Sequence, residues 1–258
     1  MSRISVVIIT KNEEQTLPRC LDSVKWADEI IVIDSHSTDR TCEIAARRGA
    51  KVFTVDWGGF GPAKQAGVDH ADGDWILSID ADEAVSPALE DEIKQLASDH
   101  SNVDGYYVPR RTNFLGRWIY HSAWYPDYVL RLFRKSRGHF DDAVVHEKVS
   151  LDGSVGRLKG ELLHYSVPTL EHYFVKFNRY TSLGAEEAYR QGRKVTWLDI
   201  VFKPPVSFVK QYILHQGFRD GMEGFMVSSL SAMAVMVKYA KLRHLHRMAS
   251  PSKESDHE

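Results

Sequence analysis

Cysteine is scarce. Cys20 and Cys42 are the only two in 258 residues, and both fall in helical patterns, so no disulfide scaffold is indicated and the chain reads as cytosolic with two inert thiols. Glycine is missing where two enzyme classes need it. The first strand-like run ends in Thr10-Lys11-Asn12-Glu13, without the Gly-x-Gly-x-x-Gly of a Rossmann dehydrogenase or the glycine-rich basic loop of a nucleotidyltransferase. Long apolar runs are also absent. Ile4 to Ile9 is too short for a signal-peptide core. The longest weakly polar run, Phe225 to Val237, covers 13 residues and contains three serines. About 20 apolar residues are needed to cross a bilayer, so no spanning helix is predicted. There is no internal repeat or low-complexity stretch.

What is present begins with an uneven charge. Residues 1–100 carry 10 Lys/Arg against 19 Asp/Glu, residues 101–192 carry 13 against 10, and residues 193–249 carry 9 against 3. An acidic front suits a metal and a basic back suits anionic surfaces. No nucleic-acid partner is expected.

Buried-strand runs at residues 4–10, 29–34, 51–55 and 75–80 alternate with helical patterns. Those patterns run over 14–26, from the Ser37-Thr38-Asp39 cap to Gly49, and from Gly61 to Ala71. Such alternation predicts an α/β fold whose first 100 residues form a right-handed βαβ half with a parallel sheet. Further strands are predicted at 104–111, 128–134 and 144–149, separated by an aromatic-rich loop with Trp118, Tyr120, Trp124 and Tyr125. From Thr169 the pattern is helical, broken at Pro204-Pro205 and resumed from about Val206 to His246, with an interruption predicted near Gly221 and Gly224.

The organising stretch is Trp75-Ile-Leu-Ser-Ile-Asp80-Ala-Asp82-Glu83. If the backbone stays extended, Asp80 and Asp82 put two hard oxygen ligands at the mouth of the sheet, where a divalent cation and a diphosphate can meet. Strand ends also deliver Thr10, Glu13 and Asp34, and in an open parallel sheet those ends line one crevice. An isolated Asp-x-Asp is more often a pair of solvated loop acids. Several acids converging on one edge are harder to read as caps.

Ser5 to Glu13, Ile33 to Asp39 and Ile79-Asp80-Ala-Asp82 resemble, in order and spacing, the three signature motifs of the inverting family 2 glycosyltransferases of the GT-A fold. Tyr128 to Arg134, Val145-His146-Glu147 and Leu163-His164-Tyr165 resemble the lipopolysaccharide-core β-glucosyltransferase branch. The resemblance implies a GT-A (Rossmann-like) mixed sheet flanked by helices, with a helical C-terminal extension. Residues 1–100 would be the nucleotide-sugar-binding half and 101–168 the acceptor-binding and catalytic half of the same domain. A helical region over 169–249 and a polar tail, 250–258, would follow.

By the same resemblance, Thr10, Glu13 and Asp34 hold the nucleoside, and Asp80 and Asp82 take the ribose edge and a Mg²⁺ or Mn²⁺ on the diphosphate of a UDP-sugar. His164 completes the metal shell, unless it is a satisfied core histidine. Lys64 touches a phosphate oxygen or is a solvated surface lysine. Two motifs depart from the family pattern. Asp34-Ser35-His36-Ser37 replaces Asp-Asp-Gly-Ser, which keeps the first carboxylate but loses the second acid and the glycine, and Lys64-Gln65-Ala66-Gly67 replaces Arg-x-x-Asn.

Inversion by direct displacement needs one base, and the candidates are Glu147, which is preferred, and Asp127, which could instead be a turn residue. Arg110, Arg111, Arg131 and Arg134 are candidates for anionic groups on the acceptor. Arg131 and Arg134 point to opposite faces of their strand.

The enzyme expected is a glycosyltransferase moving a hexose, glucose for preference, onto a lipid-linked core saccharide. It would be cytoplasmic and peripheral on the cytoplasmic face of the inner membrane. The membrane contact would be made by apolar positions from Phe208 to Val237 with Lys210, Arg219, Lys238, Lys241, Arg243 and Arg247, unless those simply pack or are solvated. The rivals are a nucleotidyltransferase and a degenerate domain that binds saccharide or lipid without turnover.

Overall fold

A computed structural model describes residues 2–98, 102–141 and 148–249. The chain forms two units, Met1–Thr112 with Pro126–Ser166 and Asn113–Tyr125 with Val167–Glu258.

The first unit alternates as its pattern demands: β1 (Ile4–Thr10), α1 (Leu17–Val24), β2 (Glu29–Asp34), α2 (Thr41–Arg47), β3 (Lys51–Thr54), α3 (Phe60–His70) and β4 (Trp75–Asp80). Then come β5 (Glu83–Val85), α4 (Pro87–Ser98) and β6 (Gly105–Phe114), whose last two residues belong to the second unit. Within the sheet β3, β2, β1 and β4 run parallel. Along β1, Ile4, Val6 and Ile8 enter one core with Leu17, Leu21 and Leu89, while Val7 and Ile9 enter the other with Ile31, Val68 and Ile76. Covering both faces explains why these strands read as continuous apolar runs.

The sheet becomes mixed beyond β4. Numbered in chain order, β7 (Arg117–Trp118) lies in the second unit, and β8 (Asp127–Arg134) runs antiparallel to both β4 and β6. The pair β9 (Gly138–Phe140) and β10 (Val149–Leu151) makes a separate ribbon. Next, β11 (Val155–Arg157) pairs β6, and β12 (Leu162–Val167) pairs β5. Residues 144–147 of the strand predicted at 144–149 lie outside the described residues.

The N-terminal edge of the sheet is held by Glu29. Its carboxylate accepts from Ser5 Oγ, Lys51 Nζ and the Asp72 amide. Burial pushes this carboxyl up, but those hydrogen bonds outweigh burial and bring it down to about 2, against 4.5 ordinarily. A depressed carboxylate stabilises the fold above its unfolded value and stops doing so as pH falls toward its folded one. Unfolding free energy is therefore expected to drop by roughly 3 kcal/mol between about pH 4.5 and 2, and Glu29→Gln should flatten that drop in denaturant titrations.

In the second unit β7 pairs the end of β6 (Asn113↔Trp118). Helix α5 (Leu170–Arg190) begins where the sequence predicts a helical pattern, and at its N-cap the Thr169 hydroxyl accepts from the His172 amide. One expectation fails here. Pro204 and Pro205 do not break the chain but lie inside α6 (Trp197–Val209), which opens with a Thr196/Asp199 capping box. Two prolines in a row remove two amide donors, and the buried Pro204 keeps packing through them. The helix then widens into a π-helical turn at Lys210–Leu214.

The predicted interruption near Gly221 and Gly224 falls slightly earlier, at a 3₁₀ turn, Gly217–Asp220, before α7 (Gly221–Ala249). Gly217–Ala249 contains an 18-residue window of mean hydropathy 1.3, which by length and composition alone is enough to cross a membrane, where the sequence reading predicted no such helix. In this fold its Val227, Tyr239 and Leu242 are buried within the unit, packed with Phe114, Ala185 and Ala188.

Candidate active site

The site grows from the C-terminal ends of β1, β2 and β4. Thr10 lies opposite Asp34 in the β1–β2 register, and Ile9 lies opposite Asp80 in the β1–β4 register. Thr10 Oγ1 donates to Asp34 Oδ1 (3.0 Å), and the Ser37 amide donates to Asp34 Oδ2 (2.8 Å). Burial raises the Asp34 carboxyl, yet hydrogen bonds from Ser37 and Thr10 prevail and hold it below the usual carboxylate range. In the turn that carries Ser37, His36 stands where the family pattern has glycine and takes φ = 57°. A non-glycine residue there is strained by about 1–2 kcal/mol. His36 Nε2 contacts Asp56 (2.8 Å) at the surface.

Glu13 sits at the turn after β1. Its amide donates to Thr41 Oγ1 (2.8 Å), and its carboxylate accepts from Thr16 Oγ1. Buried Cys20 reports how the acids gather. Burial and the negative charges of Glu83, Asp82, Asp80 and Glu13 push its thiol well above the usual range. Cys42 is likewise raised to about 11, by burial and then by its hydrogen bond to Asp34. Both thiols are inert for a physical reason.

Asp80 ends β4 inside a chain of alternating charges. Lys64 Nζ is 3.0 Å from Asp80 Oδ1, and Arg131 Nη2 is 2.7 Å from Asp80 Oδ2. Arg131 Nη2 also meets Glu83 Oε1 (3.0 Å), which Arg110 Nη1 reaches at 3.1 Å. Arg110 in turn clamps Asp127 Oδ2 through Nε (2.9 Å) and Nη2 (2.6 Å). Burial raises the Asp80 carboxyl, but the positive charges of Arg131 and Lys64 overcome this and hold it well below the usual range.

Lys64 is therefore no surface lysine. It is 0% exposed. Gly67, one turn further along α3, explains how it gets there: a Cβ at 67 would lie 2.2 Å from Val7 Cγ1, so only glycine lets this helix close on β1.

The chain turns after Asp80, so Asp82 is not in the strand; its carbonyl accepts from the Tyr165 amide (2.8 Å) on β12. That pairing brings His164 Nε2 to 3.3 Å from Asp82 Oδ2. His164 Nδ1 is buried with no hydrogen-bond partner among the described residues, so the ring's polar engagement is on the Asp82 side. Among the described residues no group of three or more His, Cys, Asp or Glu side chains forms a ready-made metal cage. An oxygen and an imidazole nitrogen side by side do fit a cation that draws its other ligands from phosphate oxygens, as Mg²⁺ and Mn²⁺ do with nucleotides.

Of the four arginines expected to meet an anionic acceptor, all pair with acids. Arg110 and Arg131 are in the network above, Arg111 binds Glu161 (2.8 Å), and Arg134 faces Asp104 (3.8 Å). Arg131 and Arg134 do face opposite ways. Asp127, a predicted base or turn residue, begins β8. Glu147, the preferred base, and His146 lie outside the described residues. Sequence reasoning assigned no role to Glu83, which is fully buried and also accepts from the Asp80 amide (2.9 Å). The available signal was Arg131, an arginine set between Leu130 and Leu132 in β8, which a buried acid has to match.

Comparison with known proteins decides what such a site belongs to. A family model described as Glycosyl transferase family 2 matches residues 5–151. The chain belongs to this family. It is a glycosyltransferase, and its likeness to other glycosyltransferases extends over nearly its whole length. An uncharacterized glycosyltransferase of Rickettsia typhi is 34% identical over 95% of this chain and 88% of its own. The lipopolysaccharide core biosynthesis glycosyltransferase LpsC of Rhizobium meliloti is 28% identical over 95% and 93%. Among solved structures, S. aureus TarS 1-349 aligns over 96% of this chain and 92% of that one, with 17% identity and a TM-score of 0.45. Glucosyl-3-phosphoglycerate synthase from Mycobacterium tuberculosis, in complex with Mn²⁺, UDP and its product, covers 43% and 44%, with 28% identity and a TM-score of 0.37. The mixed sheet flanked by helices is the family-2 GT-A architecture the motifs implied.

Proposed function

We propose that this family-2 enzyme transfers a hexose, glucose for preference, from a UDP-sugar to a lipid-linked core saccharide, with inversion. The observation that carries it is the facing of Asp82 and His164 beside the strand ends that hold Asp34 and Thr10. Asp34, oriented by Thr10 and Ser37, would accept from the nucleobase N–H, and a competitor without that donor would leave a buried carboxylate unpaired. Lys64 and Arg131 keep Asp80 ionised and fixed at the ribose edge. Asp82 and His164 would hold a divalent cation, whose charge stabilises the departing diphosphate.

In the displacement the acceptor hydroxyl oxygen attacks the anomeric carbon, its proton passes to a carboxylate, and the bond to the diphosphate breaks. No protein nucleophile is needed. Glu147 is the preferred base, and Asp127, clamped by Arg110, would position the acceptor side. The resemblance of the motifs and the part of LpsC in lipopolysaccharide core biosynthesis support a lipopolysaccharide-core acceptor.

The test is a thermal-shift screen of UDP-, GDP- and dTDP-sugars with and without Mn²⁺. Stabilisation by a UDP-sugar that depends on Mn²⁺ is expected, of a few degrees at saturating ligand. Equal shifts without metal, or with every nucleotide, would count against the reading.

A further inference from the structure

Among the apolar side chains that the second unit exposes, one set forms a stripe. Along α6 and the π-helical turn, Trp197, Val201, Phe202, Val206, Val209 and Ile213 are each 50–65% exposed. Their spacing of 4, 1, 4, 3 and 4 residues keeps them on one side of a helix about 25 Å long. The opposite side is occupied, since Ile200 packs with Tyr239 and Leu242, and Pro204 is buried. Water-soluble surfaces rarely carry so continuous an apolar stripe unless something covers it.

Charge says what covers it. The stripe is flanked by exposed Arg193, Lys194, Lys210 and Arg219. None of these four pairs with a carboxylate among the described residues, and the one acid on α6, Asp199, is taken by Lys203. A second copy of the chain docked by a two-fold axis would bring these cations against their own equivalents. An anionic bilayer surface matches both features, with apolar side chains below the headgroups and basic ones level with them.

We infer that α6 and the π-helical turn lie in the plane of an anionic membrane surface and anchor the enzyme there. This places the contact on α6, not on the basic residues of α7 that the sequence reading enlisted. Lys241, for one, is spent within the unit, donating to Asn178, Thr181 and Ser182 on α5. The inference deepens the proposal of a lipid-linked acceptor and rests on it only for its purpose, because vesicle binding needs neither donor nor acceptor and the two readings can fail separately.

The experiment is co-sedimentation of the full chain with phosphatidylcholine vesicles, with and without about 30 mol% phosphatidylglycerol. Binding to the anionic vesicles is expected, about tenfold weaker on neutral ones or in about 0.5 M salt. Phe202→Glu combined with Val206→Glu should weaken it at least about tenfold with the circular dichroism spectrum unchanged, whereas Arg243→Ala on α7 should change it less than about twofold. Vesicles should also shift the tryptophan emission to the blue, and Trp197→Phe should remove that shift. Undiminished binding by the double variant would overturn the proposal. So would a native mass showing that the free protein is a dimer which the same substitutions split while wild-type protein ignores vesicles.

Discussion

Asp82→Ala is expected to lower turnover by about three orders of magnitude while the unfolding midpoint moves by no more than roughly 2 °C. The two halves of that result have separate causes. Asp82 sits in the turn after β4, where its carbonyl accepts from the Tyr165 amide, a backbone bond that Asp82→Ala leaves in place. Its carboxylate faces His164 Nε2. Removing it would leave the proposed cation with one protein ligand, and charge building on the departing diphosphate would lose stabilisation worth about 4 kcal/mol, which corresponds to the stated factor. His164→Ala should weaken metal dependence in the same direction. Steady-state assays over a Mn²⁺ titration check both, and activity of Asp82→Ala near the wild-type level would remove the metal role.

Lys64→Met is expected to destabilise the protein by about 3–5 kcal/mol, the usual consequence of deleting one partner from a buried charge network. Lys64, Asp80, Arg131, Glu83, Arg110 and Asp127 alternate in sign along one connected chain. Deleting the first cation leaves Asp80 facing Arg131 alone, and Arg131 is already shared with Glu83. The double variant Lys64→Met with Asp80→Asn removes a matched pair and should be more stable than the sum of the two single effects predicts, by about 1–3 kcal/mol. Denaturant unfolding of the four proteins measures this directly. Strict additivity would mean that Lys64 and Asp80 do not depend on one another.

How far these features could be read in advance depended on whether their cause was local. β1, β2 and β4 begin and end where their apolar runs do, because strands covered on both faces need continuous apolar character. The start of α5 was legible because Leu170, Tyr173, Phe174 and Phe177 recur at helical spacing. Pro204-Pro205 misled because local preference argues for a break while packing carries the helix through. The partnership of Arg131 with Asp80 joins residues 51 positions apart, and no spacing rule foretells it. Motif order brought Asp34, Asp80 and Asp82 to the right end of the sheet, but the employment of Asp80 by two cations appears only when α3 and β8 are folded against it.

Gly67 carries a consequence for how this enzyme and its relatives diverge. Where the family pattern has asparagine, this chain has no side chain at all, and Val7 occupies the space. A side chain at 67 meets Val7 unless Val7 shrinks, so the two sites are coupled in evolution. Relatives with a bulkier residue at the position of Gly67 are expected to carry a smaller one at that of Val7, or to seat the helix farther from the sheet and with it a different cation beneath Asp80.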